Sequence, residues 1–289
     1  MQHRTIGNDV VGRVDVSAIG LGAMPLSVGD RPSPDAADAV VHAALDAGVT
    51  LIDTADAYCL DASEVGHNER TVARAVRSWG GSADVLIATK GGHTREGTEW
   101  LLDGSPEHLR RACDASLEAL GVDAIGLYQF HRPDPETPWA DSMGAMKDLC
   151  DAGKIRMIGI SNADVAQIDE ARAICGDALV SVQNQFSPGF RSSAGELAHC
   201  AQAGLAWFPW SPFGGMGDAG SLASTAGEFA AVADELGVSV YQVTLAWHLA
   251  QADVVIPIPG ASKPRSIQDS AGATEVTLSS DQLSRLNAA

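Results

Sequence analysis

Gly20-Leu21-Gly22-Ala23-Met24-Pro25 is the stretch on which the fold turns. It follows the apolar run Ala18 to Leu21 and begins like a phosphate-binding Gly-x-Gly turn, but proline stands where the third glycine of the dinucleotide fingerprint belongs. A doubly wound open sheet, the main rival architecture, therefore lacks its usual nucleotide turn.

Seven further apolar, β-branched runs follow: Thr50 to Ile52, Val85 to Ala88, Ile125 to Gln129, Ile155 to Ile160, Leu179 to Val182, Leu205 to Phe208 and Val254 to Ile258. Longer amphipathic stretches separate them. Continuous apolar strands alternating with helices indicate a parallel sheet covered on both faces. Eight such units without a long linker favour closure into an α/β, (β/α)8 TIM barrel, read as one domain over residues 1–289.

Helix signals agree with this reading. Pro34-Asp35 opens a helix ending at Ala47-Gly48, and Ser105-Pro106-Glu107 opens another ending at Leu120-Gly121. Gly153, Gly176, Gly204 and Gly237 fall where helices should stop, because glycine tolerates the left-handed conformation beyond a last turn. His3 to Val16 reads as two short strands around Gly7-Asn8, an N-terminal β-hairpin expected to close the barrel bottom. The glycine-rich stretch 211–227 is long enough for a functional loop, and a lid is expected there.

Composition removes several function classes. The hydrophobic fraction is 45% with only 5% aromatic, which suits a helix-rich globular chain. A net charge of −18 argues against a nucleic-acid partner, since binding a phosphate backbone requires basic residues that displace counterions. No apolar run approaches the ~20 residues of a membrane span, and His3, Arg4, Asp9 and Arg13 interrupt any signal-peptide core, so a cytoplasmic location is expected. The five cysteines are scattered without a C-x-x-C pair, so neither a disulfide framework nor a zinc site is indicated.

In a barrel, side chains at the C-terminal strand ends face the site. The second strand ends in Asp53-Thr54-Ala55-Asp56-Ala57-Tyr58, the third in Ala88-Thr89-Lys90 and the fourth in Tyr128-Gln129-Phe130-His131. Lys90 stands out because lysine otherwise occurs only at positions 147, 154 and 263. One carboxylate, phenol, amine and imidazole at successive strand ends suit carbonyl reduction. Tyr58 is the acid for the developing alkoxide, and a Lys90 ammonium is expected to lower its pKa. Asp53 holds the ammonium, while a neutral His131 polarises the carbonyl.

These segments resemble the aldo-keto reductase family. Asp53 to Tyr58 is similar to its D-T-A-x-x-Y segment, Ile87 to Lys90 to its lysine strand and Leu127 to Asp134 to its histidine segment. The resemblance covers essentially the whole chain and implies an NADP(H)-dependent oxidoreductase with Asp53, Tyr58, Lys90 and His131 as catalytic residues.

It also implies a cofactor groove. Gly159-Ile160-Ser161-Asn162 is similar to a family segment whose serine and asparagine bind the nicotinamide amide, with Gln183 beside them. Trp210 stands where an aromatic residue stacks on the ring, and Ser211, Pro212, Phe213 and Gly214 follow near the pyrophosphate. Gly22, Ala23, Met24 and Asp53 line the same groove. Gly260, Ser262, Lys263 and Arg265 match the segment that takes the adenosine 2′-phosphate. Asp269 stands for the acidic member of the pair that touches adenine in the family and is expected in the groove, but Ser270 replaces the amide, and this departure weakens that clamp.

The substrate is expected to be a small carbonyl compound in a pocket bounded by Met24, Tyr58, His93, Trp100 and His131. Aldehydes, sugars, ketosteroids and a pyridoxal-like ring aldehyde all fit. The chain ends close after a helix around Ser279 to Ala289, from which a more open pocket is expected. Two rivals come from other classes. A metal-dependent barrel hydrolase would need clustered ligands, and no H-x-H or H-x-x-E-H occurs. A cofactor-binding regulatory subunit on the same fold would turn over little, whatever the carbonyl.

Overall fold

The apolar runs pair side by side in sequence order. β3 (Leu21–Gly22), β4 (Leu51–Asp53), β5 (Leu86–Gly91), β8 (Ile125–Phe130), β9 (Ile155–Ser161), β10 (Leu179–Gln183) and β11 (Ala206–Trp207) form one parallel sheet. The computed structural model describes residues 1–215, 222 and 227–289.

The sheet curls until its edges meet. Trp207 bridges Val255 and Gly22 bridges Gly260, both in parallel sense. Ile256 donates to the Trp207 carbonyl at 2.8 Å, and Gly20 donates to that of Pro257 at 2.9 Å. The expected eighth strand, Val254 to Ile258, thus closes the barrel without forming a regular ladder. Pro257 and Pro259 have no N–H to donate, so the pairing breaks into isolated bridges. The expected first strand shortens for a related reason: Gly20 is bonded to this closing segment, and only Leu21–Gly22 pairs regularly with β4.

Helices cover the outside: α1 (Pro34–Asp46), α2 (His67–Ser78), α3 (Pro106–Leu120), α4 (Trp139–Asp151), α5 (Val165–Cys175), α6 (Ala194–Ala203), α7 (Glu228–Leu236), α8 (Val240–Leu249), α9 (Pro264–Gly272) and α10 (Ser280–Ala288). Their ends follow from the chain. Ser105 caps α3 by accepting the His108 N–H at 3.2 Å, and Gly121 stops it at φ +67°.

Leu51, Leu86, Leu127, Met157, Val180 and Phe208 fill the barrel interior. Ile6 and Val16 join them from the hairpin of β1 (His3–Asn8) and β2 (Gly12–Ser17), which plugs the N-terminal end. The hairpin is as expected, but its turn is not at Gly7-Asn8. Gly7 pairs with Arg13 inside the ladder, and the loop is Asp9-Val10-Val11. The Asn8 side chain accepts the N–H groups of Val10 and Val11 at 2.9 and 3.1 Å, which moves the turn downstream.

A second hairpin was not foreseen. The segment after β5 folds into β6 (His93–Glu96) and β7 (Glu99–Leu102) around Gly97-Thr98, with Gly97 at φ +53°. It stands beside the C-terminal mouth of the barrel. Most of the expected lid, residues 216–221 and 223–226, lies outside the described residues.

Candidate active site

The strand ends deliver the reactive groups to one place. β4 ends in Asp53, Lys90 is the penultimate residue of β5, and His131 follows β8 directly. The turn carrying Tyr58 hangs from β5: Thr54 donates to the Ala88 carbonyl at 2.8 Å and Asp56 to that of Lys90 at 3.3 Å. These backbone bonds fix the phenol's position without a helix or strand beneath it.

Lys90 is fully buried. Its Nζ donates to Asp53 Oδ2 at 2.6 Å, to the Thr54 carbonyl at 2.8 Å and to the Tyr58 hydroxyl at 3.1 Å. All three ammonium hydrogens are thus used, as burial of the charge requires. Burial works against the charged form, but Asp53 and Tyr58 together outweigh it and hold Lys90 above the ordinary lysine range.

Tyr58 departs from expectation. Burial raises its pKa, and although the Lys90 ammonium opposes this, Asp53 and Asp56 add to it, so the net direction is upward. The resting side chain is a protonated phenol, hydrogen-bonded to an ammonium. His131 is held well below the ordinary histidine range, first by burial and then by the positive charge of Lys90. It is a neutral imidazole at neutral pH, its ring edge-on to Tyr58 at 5.6 Å between centroids.

A cavity of about 380 Å³ opens over these groups. Asp53, Tyr58 and His131 form its base, and His93 and Trp100 from the β6–β7 hairpin stand on one side. Trp100 meets Tyr58 edge-on at 6.2 Å, and His93 meets His131 at 4.4 Å. Ser161, Asn162 and Gln183 face it from the ends of β9 and β10, and Trp210 with Ser211, Pro212 and Phe213 walls the other side. The chemistry open to such an arrangement is transfer of the phenol's proton to an oxygen placed between the phenol and the imidazole.

Known proteins are similar to this chain along most of its length. The model of the Aldo/keto reductase family matches residues 18–289. The chain belongs to the aldo/keto reductase family. An uncharacterized oxidoreductase of Schizosaccharomyces pombe is 34% identical, the match covering 97% of this chain and 89% of that protein. The aldo-keto reductase yakc [NADP(+)] of the same organism is 31% identical, over 96% of this chain and 87% of its own. The crystal structure of an aldo-keto reductase from Klebsiella pneumoniae in complex with NADPH superposes with a TM-score of 0.80 at 25% identity, covering 100% of this chain and 95% of that one.

Within this member of the family, the groove residues named from sequence divide into two groups. Gly22, Met24, Asp53, Ser161, Asn162, Gln183, Trp210, Ser211, Pro212, Phe213 and Gly260 line the cavity. Others do not. Ala23 is buried and contributes its backbone, donating to the Asp53 carbonyl at 2.8 Å. Gly214 lines a neighbouring cavity instead. Ser262, Lys263 and Arg265 are exposed where α9 begins, and no acidic residue occupies that helix's first turn. Asp269 is turned away: its carboxylate accepts the Ser239 hydroxyl at 2.7 Å, at the start of α8.

Two positioning residues escaped the sequence reading. Gln129 donates to Asp53 Oδ1 at 3.1 Å and Gln183 does so at 2.8 Å, so two amides hold the oxygen that Lys90 leaves free. Asn68, buried on α2, donates to the Ala23 carbonyl and to Ser27 Oγ at 2.8 and 2.7 Å and accepts the Thr54 hydroxyl at 2.6 Å. It ties the loops after β3 and β4 together. The only sequence signal was a polar side chain inside an apolar strand or on a helix's inner face.

Proposed function

We propose that this chain is an NADP(H)-dependent aldo-keto reductase that reversibly reduces aldehydes or ketones to alcohols, with Tyr58 as the proton donor. The observation that carries the reading is the buried Lys90 ammonium bonded at once to Asp53 at 2.6 Å and to the Tyr58 hydroxyl at 3.1 Å, beside a neutral His131.

The residues present fit the cofactor. Ser161, Asn162 and Gln183 offer amide and hydroxyl partners for a carboxamide, and Trp210 presents an aromatic ring whose Nε1 is buried without a partner among the described residues. Lys263 and Arg265, exposed and in no ion pair among the described residues, suit the 2′-phosphate. Yakc, an NADP(+) protein by name, and the NADPH complex from Klebsiella pneumoniae lend the same support.

Bound there, the nicotinamide supplies or accepts the hydride. The chain's own residues manage the proton. His131 donates a hydrogen bond to the carbonyl oxygen and orients it toward Tyr58. As charge gathers on that oxygen, the Tyr58 proton transfers to it. The resulting phenolate is stabilised by the Lys90 ammonium, which Asp53 keeps charged. Alcohol oxidation runs through the same groups in reverse. We read residues 1–289 as a single domain, with the β1–β2 hairpin seated on the barrel through Ile6 and Val16.

A panel of carbonyl compounds tests this. NADPH consumption should be rapid with simple aldehydes and slower with NADH. Negligible consumption with every carbonyl would favour a regulatory subunit, and equal use of NADH would overturn the role given to Lys263 and Arg265.

A further inference from the structure

The groove between α2, α3 and the β6–β7 hairpin differs from the rest of the surface. It has a volume of about 840 Å³ and lies behind the carbonyl cavity, with His93 as a shared wall. Arg70, Arg74 and Arg77 line it from α2, Arg111 from α3 and Arg95 from β6. Five of the chain's 19 Lys and Arg residues thus meet in one cleft of a protein whose net charge is −18.

Their charge is only partly compensated. Arg74 holds Asp38 at 2.8 Å and Arg111 holds Glu107 at 3.1 Å. The other three have no carboxylate within 4.0 Å among the described residues. Each is oriented by a backbone carbonyl instead: Arg70 by Val65 at 3.1 Å, Arg77 by Leu120 at 3.1 Å and Arg95 by Leu60 at 2.7 Å. Arg95 is further fixed against the Trp100 ring at 4.1 Å, and its Nε and Nη1 are buried without partners among the described residues. His108 Nε2, on the same wall, is likewise buried and unpartnered.

The carboxyls at the cleft do not offset this. Asp56 and Glu69 are buried at its floor, and burial pushes both above the ordinary carboxylate range, Asp56 well above it. Glu118 stands exposed at the rim. Guanidinium groups held in fixed directions with free N–H donors match the several oxygens of a phosphate group, which planar forks bind two at a time. A carbonyl cap positions a guanidinium without neutralising it.

We propose that this groove is a second ligand site, separate from the carbonyl cavity, for a small molecule bearing phosphate groups, held by Arg70, Arg77, Arg95 and Arg111. Three walls of the cleft contribute a guanidinium each, so a ligand with two phosphates can engage all of them at once.

Calorimetric titration with inorganic pyrophosphate tests it. The protein used is the Lys263→Gln, Arg265→Gln double variant, which removes the cations at the start of α9 as a competing anion site. One equivalent should bind with a dissociation constant below about 1 mM. Binding should weaken as salt is raised. Adding Arg95→Gln or Arg111→Gln should weaken it by about tenfold or more. Arg111 lies on an exposed helix face, so its replacement keeps the test valid where Arg95→Gln disturbs the hairpin. Absence of binding at millimolar pyrophosphate, or equal binding by folded Arg111→Gln, would overturn the site.

Discussion

At the scale of single residues, the site depends on one buried charge. Lys90 is fully enclosed and Asp53 nearly so, and the Lys90 ammonium is bonded to the Asp53 side chain at 2.6 Å. Replacing Lys90 by Met leaves the Asp53 carboxylate with only the amides of Gln129 and Gln183. We expect stability, measured by denaturant unfolding, to fall by about 3–5 kcal/mol, and carbonyl reduction to fall by about 10²–10⁴-fold. The convergence of Asp53, Tyr58, Lys90 and His131 was legible in the sequence because three stand at strand ends, Tyr58 on the turn that follows one, and each is rare or reactive. Gln129 was not, because its partner lies 76 residues away and no local pattern records a bond across the barrel.

A second buried group gives a pH prediction. His248 on α8 has no charged hydrogen-bond partner among the described residues; it bonds the Pro212 carbonyl at 3.3 Å, and burial pushes its pKa down to about 3. The unfolded chain protonates this imidazole below its ordinary pKa of 6.5, whereas the folded chain keeps it neutral to about 3. Its contribution to stability is therefore intact above 6.5 and lost as pH falls toward 3. The stability gap between wild type and His248→Gln should shrink across that window by up to about 1.4 kcal/mol per pH unit. Chemical denaturation at a series of pH values measures it, and a constant gap would exclude the buried neutral state.

At the scale of elements, helix ends were legible wherever glycine supplied the left-handed turn. Gly48, Gly121, Gly153, Gly204 and Gly237 all have φ between +66° and +83°. Strand edges were less so. Pro257 and Pro259 made an apolar run into a row of isolated bridges, and the Asn8 side chain moved a turn by capturing two N–H groups. The β6–β7 hairpin was missed because its strands, His93–Glu96 and Glu99–Leu102, bury no regular face and lack an apolar alternation. The N-terminal hairpin is the element whose weight is easiest to measure. Ile6 is buried in the barrel core, so Ile6→Ala should lower unfolding stability by about 2–5 kcal/mol. A change near zero would mean that the hairpin covers the barrel without supporting it.

At the scale of the whole molecule, barrel closure explains why residues from position 22 to position 260 meet over one cavity. The strand ends and the segments that follow them supply much of its lining, among them Asp53, Ser161, Gln183 and Trp210. Closure was legible from eight repeats of the same punctuation, without any motif. The division of labour at the mouth was legible only in part, since Asp269 accepts the hydroxyl of Ser239, the residue that caps a neighbouring helix, and Gly214 faces another cavity. The family places the chain among oxidoreductases, and the proposed proton path runs through Tyr58. Its most direct test is Tyr58→Phe, assayed for carbonyl-dependent NADPH oxidation and, by fluorescence titration, for NADPH affinity. Turnover should fall by about 10²–10⁴-fold with affinity for NADPH largely unchanged. Wild-type turnover in that variant would contradict it.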